Sequence, residues 1–219
     1  MSKARSPDAG ALARRLTGDD VRRAQRALMR RDPALGALIK RVGPCGLVDP
    51  RPHDPFADLV RVILSQQLST KAADTIFRRV AALADGVHDL TGARLLRVDA
   101  DALRAAGVSR PKISYLHDLA ARVGDGRLDL AAFDALPDED VIASITAVKG
   151  LGRWSADMYL MFRLNRPDVL PVGDLGIVRG FQKLYGMRRP PAERTMVRLA
   201  ERWRPWRSIG CWYLWRLHD

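Results

Sequence analysis

The stretch Val148-Lys149-Gly150-Leu151-Gly152-Arg153-Trp154-Ser155 decides the reading of this chain. Before it, Val141, Ile142, Ile145 and Val148 recur at helical spacing; after it, Trp154, Met158, Met161 and Phe162 do the same. The pattern predicts helix, tight turn, helix. Two glycines around one apolar residue make a hairpin in which the backbone needs unusual φ values and close approach. Such a turn leaves the N–H groups of the second helix pointing outward at the positive end of its dipole, which suits a phosphate.

Further along, Leu170-Pro171-Val172-Gly173-Asp174 places a carboxylate immediately before another helix. A lone Gly-x-Gly between helices is commonly a packing turn, and an aspartate before a helix is commonly only its cap. Here the two stand in series in a strongly basic chain. A phosphate clamp followed by one placed carboxylate points to chemistry on DNA.

Composition agrees. The 219 residues carry 37 Lys and Arg against 25 Asp and Glu, a formal net charge of +12, which favours a polyanionic partner. No apolar run approaches the roughly 20 residues of a membrane span. The N-terminus lacks an apolar signal core, so the expected location is cytoplasmic, nucleoid-associated in a bacterium through DNA binding. The two cysteines, Cys45 and Cys211, are too few for a four-cysteine iron–sulfur cluster, and the four histidines show no ligand spacing. No catalytic metal or cofactor is expected.

The pattern along the chain is all-α. Residues 1–18 read as a flexible N-terminal segment, and a proline-rich connector follows at 49–55. Convincing alternation of strand type is absent. Phe56, Leu59, Val60, Ile63 and Leu64 form a strong helical stripe that stops at Ser65-Gln66-Gln67-Leu68-Ser69. The C-terminal Trp203, Trp206, Trp212, Tyr213 and Trp215 read as core in the main, with room for one to reach a cleft.

Three segments together, Ile63–Ser69, Lys149–Asp157 and Leu170–Gly176, make the chain resemble the helix–hairpin–helix DNA glycosylase superfamily, and within it the 3-methyladenine DNA glycosylase II branch. The resemblance covers roughly residues 20–217 and implies two helical lobes with a base pocket in the cleft between them. One lobe would combine 19–54 with 166–219. The other would be 55–165, with the helix–hairpin–helix at about 141–163.

The resemblance further implies a monofunctional enzyme that flips out and hydrolyses off cationic N3- or N7-alkylated purines from double-stranded DNA, acting as a monomer in base excision repair. Asp174 would be catalytic, and Trp154 and Met158 would line the pocket. Gln66, Gln67 and Leu68 would form the wedge that fills the vacated duplex, with Gln67 the best plug. Lys149, Gly150, Leu151, Gly152, Arg153 and Arg179 would meet phosphates. Backbone carbonyls of Thr146, Val148 and Leu151 would hold a structural Na+ or K+.

The residue types suit that chemistry. Breaking an N-glycosidic bond develops positive charge on the sugar, which a fixed carboxylate stabilises. A Trp face attracts a cationic ring. Bifunctional relatives carry a lysine nucleophile where this chain has Trp154, so no Schiff base is expected. Two other readings stay open: a glycosylase for another class of lesion, and a non-catalytic helix–hairpin–helix clamp.

Overall fold

The structure is a computed structural model that describes residues 15–48 and 54–218. Twelve α-helices appear among the described residues, with three short 3-10 turns and no strand. They are α1 Gly18–Arg31, α2 Pro33–Val42, α3 Pro55–Ser65, α4 Thr70–Leu83, α5 Gly92–Leu95, α6 Ala100–Ala105, α7 Arg110–Gly124, α8 Asp138–Thr146, α9 Arg153–Phe162, α10 Leu175–Leu184, α11 Glu193–Ala200 and α12 Arg207–Trp215.

Polar residues at the starts set these boundaries. Thr17 and Asp20 form a reciprocal capping box on α1, while Asp32, Asp54 and Ser69 accept N–H groups at the starts of α2, α3 and α4. Pro33 and Pro55 sit in the first turn of α2 and α3, where a missing N–H costs nothing. The expected loose N-terminal segment ends before residue 18. Leu16 is buried and its N–H bonds the carbonyl of Asn165 at 2.8 Å, tying the start of α1 to the end of α9. Residues 1–14 of that segment and 49–53 of the proline-rich connector lie outside the described residues.

The helices pack in two groups. In one, α1 lies on α2, and α12 packs on α1, α2 and α10. In the other, α3 packs on α4, α7 and α9, α7 on α5 and α6, and α8 on α9. Each group buries the stripe that its periodicity predicts. In α3, Leu59, Val60, Ile63 and Leu64 are all buried, each contributing roughly 1.5–3 kcal/mol on area grounds. In the first group Trp203 is fully buried and stacks on Phe181, with ring centroids 5.1 Å apart. Its indole N–H donates to Asp32 Oδ2 at 2.9 Å, and the same carboxylate accepts from Tyr185 and from the Leu35 N–H. One buried carboxylate thus caps α2 and anchors the aromatic core.

The chain passes from the second group back to the first between α9 and α10, and this passage is firmly pinned. The Arg166 side chain is buried and one end of its guanidinium donates to the carbonyls of Phe133, Asp134 and Leu136. Ser208 Oγ donates to the Arg166 carbonyl and accepts from the Val169 N–H, and Asp168 is clamped by Arg204 and Arg207. A rigid approach therefore delivers the start of α10, where Asp174 lies.

Candidate active site

Asp174 is the N-cap of α10. Its Oδ1 accepts the Ile177 N–H at 2.9 Å and the Trp215 indole N–H at 2.9 Å, while Oδ2 accepts the Trp154 indole N–H at 2.8 Å. Capping fixes the carboxylate to its own helix, and the two indoles fix it from α9 and the end of α12. Gly176 permits this approach: a Cβ there would lie 2.8 Å from Trp215 Cδ1 and 3.0 Å from Asp174 Oδ1.

Trp154 is 38% exposed, so it is not a core residue beneath the hairpin. Trp154, Met158 and Phe162 follow one another at four-residue intervals along α9, which places them on one face. Phe162, itself exposed, stacks on Trp215 with centroids 5.6 Å apart. Asp174 is therefore bordered by aromatic surface from two helices that are distant in sequence. Trp154 also lines a cavity of about 510 Å³, together with Glu139, Arg153, Asp157, Asp168 and Arg207. Val172 and Gly173, just before Asp174, lie in its wall, while Asp174 itself does not.

The hairpin between α8 and α9 rests on α7. Gly150 has φ +80°, and a Cβ there would sit 2.2 Å from Tyr115 Cδ2, inside the ring's own volume. Both conformation and contact demand glycine at this position. Gly152 differs from the sequence expectation: its φ of −110° and ψ of −175° are ordinary extended backbone, with nothing near a Cβ. As N-cap of α9 it offers no side chain to the helix's first N–H groups, which stay available to an anion.

Two of the side chains expected on phosphate, Lys149 and Arg153, have partners within the protein. Lys149 Nζ lies 2.8 Å from Ser114 Oγ, and Arg153 bonds Asp157 at 3.1 Å and Glu139 at 3.4 Å. Arg179 is exposed on α10. The Lys149 backbone N–H donates to Asp118 Oδ2 at 2.8 Å. Desolvation of Asp118 works against its charged form, but the Lys149 N–H and the Arg122 guanidinium outweigh it and hold the carboxyl below its ordinary value.

After α3 the chain makes a four-residue turn, Ser65 to Leu68, closed by the Leu68 N–H on the Ser65 carbonyl at 3.1 Å. Gln66 has φ −53° and ψ 127°, and Gln67 has φ +60°, the angles of a type II turn. Gln67 and Leu68 are exposed. The Gln66 side chain turns instead to the hairpin, its Nε2 donating to the Gly150 carbonyl at 2.9 Å. Lys112 Nζ, at the start of α7, lies 2.8 Å from the Leu64 carbonyl and 2.7 Å from that of Gln66.

Residues that local pattern did not single out complete this arrangement. Trp215 is the C-terminal tryptophan that reaches the carboxylate; Trp203 and Trp206 are buried in the core, and Trp212 lies half-buried against Tyr213. An excess of tryptophan near the C-terminus was the only available hint. Lys112, Ser114, Tyr115 and Asp118 have none, because they are ordinary polar-edge residues of an amphipathic helix.

Residues 60–205 match the HhH-GPD superfamily of base excision DNA repair proteins. The DNA-3-methyladenine glycosylase 1 of Schizosaccharomyces pombe is 34% identical over 164 residues, spanning 74% of this chain and 72% of that protein. Among solved structures, a DNA-3-methyladenine glycosidase from Bacillus halodurans is 38% identical with a TM-score of 0.77, covering 88% of each chain. An S. pombe 3-methyladenine DNA glycosylase in complex with abasic DNA is 32% identical with a TM-score of 0.78, covering 89% of this chain and 95% of that one.

Proposed function

The chain belongs to the HhH-GPD superfamily of base excision DNA repair proteins, and on that premise we propose that it is a monofunctional DNA glycosylase that excises alkylated purines. The carrying observation is the Asp174 carboxylate, held by three N–H donors beside exposed aromatic rings. A passive clamp has no use for a carboxylate immobilised in this way among aromatic surfaces near its phosphate-binding turn.

The chemistry follows from that geometry. A purine alkylated at N3 or N7 is a cation while attached to the sugar, and it leaves as a neutral base with the bonding electrons. Positive charge then develops at the anomeric carbon. A carboxylate that need not reorganise stabilises this charge and aligns the water that adds there. Three fixed donors supply that preorganisation to Asp174. Trp154 offers a face on which a cationic base is attracted by stacking and cation–π contact, and Met158 extends the same wall. Phe162 and Trp215 supply further ring surface at the mouth.

The remaining assignments rest on the same reading. The uncapped N-terminus of α9 at Gly152, with Gly150, Leu151 and Lys149, takes a backbone phosphate, and Arg153 and Arg179 supply positive potential nearby. Gln67 and Leu68 enter the duplex, while Gln66 ties the wedge to the hairpin. Thr146 ends α8, so its carbonyl lacks a helical partner; with the Val148 and Leu151 carbonyls it forms a donor set suited to Na+ or K+, which would neutralise the turn beside phosphate. The protein works as a monomer on double-stranded DNA, in the cytoplasm of a bacterial cell.

The test is base release from alkylated duplex DNA, followed by mass spectrometry, for the intact protein and Asp174→Asn. Release of 3-alkyladenine and 7-alkylguanine that disappears in the variant supports the reading. Release of oxidised or deaminated bases instead would move the protein to another lesion class, and tight binding with no release from any substrate would leave a clamp.

A further inference from the structure

We propose that Lys112 is a positioning residue for base flipping: its ammonium holds the Ser65–Leu68 turn in the form that presents Gln67 to the duplex. This rests on the reading of that turn as the wedge.

In a type II turn the second central residue takes positive φ, a place usually filled by glycine or asparagine. Here it is Gln67, at φ +60°. A glutamine is disfavoured there by its Cβ. The competing type I form differs by a swing of the middle peptide, which returns the second residue to negative φ and reverses the middle carbonyl. Left alone, the sequence Gln66-Gln67 has no preference for the strained form.

The middle carbonyl of this turn belongs to Gln66, and it is the one that Lys112 grips. Lys112 Nζ lies 2.7 Å from Gln66 O and 2.8 Å from Leu64 O in the last turn of α3. A cation is favoured at a helix C-terminus, where the last carbonyls lack partners. Swinging the peptide would take Gln66 O away from the ammonium. From the other side, Gln66 Nε2 reaches Gly150 O at 2.9 Å, so the turn is tied to the phosphate-binding hairpin as well. Lys112 also lines a crevice of about 110 Å³ with Leu64, Leu68, Ile76 and Val108. Burial there pushes the amine's pKa below its ordinary value. Lys112 and Tyr115, the ring under Gly150, lie on one helix, so α7 holds wedge and hairpin in one register.

Flipping a paired base requires the wedge, whereas a lesion opposite a mismatch is already partly unstacked and asks less of it. Single-turnover excision by Lys112→Met should therefore fall on the order of tenfold to a hundredfold for a paired lesion, the range for a misplaced group, and much less for a mismatched one. Lys112→Arg, which keeps a cation and donors, should recover most of the paired-lesion rate. In a Gln67→Ala background, Lys112→Met should add little, because the side chain it positions is gone. Equal losses on paired and mismatched lesions, or no loss on either, would overturn the proposal. If Lys112→Met does not fold, Lys112→Arg and Lys112→Gln carry the same paired-to-mismatched comparison, with Gln expected to be the more selective in its loss. If Gln67→Ala leaves paired-lesion excision intact, the wedge reading itself fails. If Gln67→Ala is impaired and Lys112→Met is not, the lysine's role alone is refuted.

Discussion

The indole N–H of Trp215 lies 2.9 Å from Oδ1 of Asp174, forty-one residues earlier in the chain. With the Trp154 indole on Oδ2 and the Ile177 N–H on Oδ1, it makes the carboxylate's direction a property of three helices rather than one. This relationship gives the carboxylate its fixed aim and suggests how it can be tested.

Trp215→Phe keeps a ring against Phe162 and removes only the donor. A hydrogen bond to a charged group is worth about 1.5–3 kcal/mol, so excision should slow by roughly tenfold to a hundredfold if the bond supports the reacting geometry. DNA affinity should change little. Single-turnover kinetics beside an equilibrium titration separate the two, and unchanged kinetics would make the bond merely structural.

Asp174→Asn should cost at least about a hundredfold in base release, the scale seen when a preorganised electrostatic partner is removed. Asparagine is a good N-cap, so α10 should still form. Loss of a negative charge near phosphate leaves affinity equal or higher. A smaller loss in base release would assign most of the reaction to the cationic leaving group.

The two hairpin glycines should behave differently. Gly150→Ala places a Cβ in the Tyr115 ring at φ +80° and should weaken binding to every duplex, damaged or not. Gly152→Ala meets nothing in the protein, so its melting temperature should match wild type and any defect should appear only on DNA. Equal melting temperatures for both variants would contradict the packing described here.

Asp118 gives a pH signature. Its carboxyl is held below the ordinary value of 3.8 despite desolvation, through the Lys149 N–H and Arg122. A depressed folded pKa means stability that is fully present above the unfolded value and lost as pH falls through the folded one. The melting-temperature gap between wild type and Asp118→Asn should therefore be constant near neutrality and close only on strong acidification, below pH 3.8. A gap that stayed constant through that range would show that the carboxylate contributes no such linkage.

The reaction product should be an intact strand carrying an abasic site. On the proposed reading Trp154 takes the place of a lyase's amine, and Lys149 Nζ lies 2.8 Å from Ser114 Oγ. Borohydride added during turnover should trap no protein–DNA adduct. Efficient trapping, abolished by replacing one lysine, would make the enzyme a lyase.

Local sequence determined a good deal of this. The stripe of α3, the cap at Asp174, the glycine at 150 and the pairing of a hairpin with a following aspartate depend on neighbours within a few residues. They were legible because helical periodicity and turn chemistry are short-range. The expected freedom of both glycines was half right, since only Gly150 uses a positive φ. What tertiary structure alone decided is which distant groups meet these motifs. Nothing near Trp215 in sequence distinguishes it from Trp203, yet one reaches Asp174 Oδ1 and the other is buried on Phe181. Nothing near Lys112 says that its amine will end on two carbonyls of α3 and the turn beyond it. Those contacts depend on how α7, α9 and α12 pack against their neighbours, and packing is set by the whole buried surface rather than by any one segment.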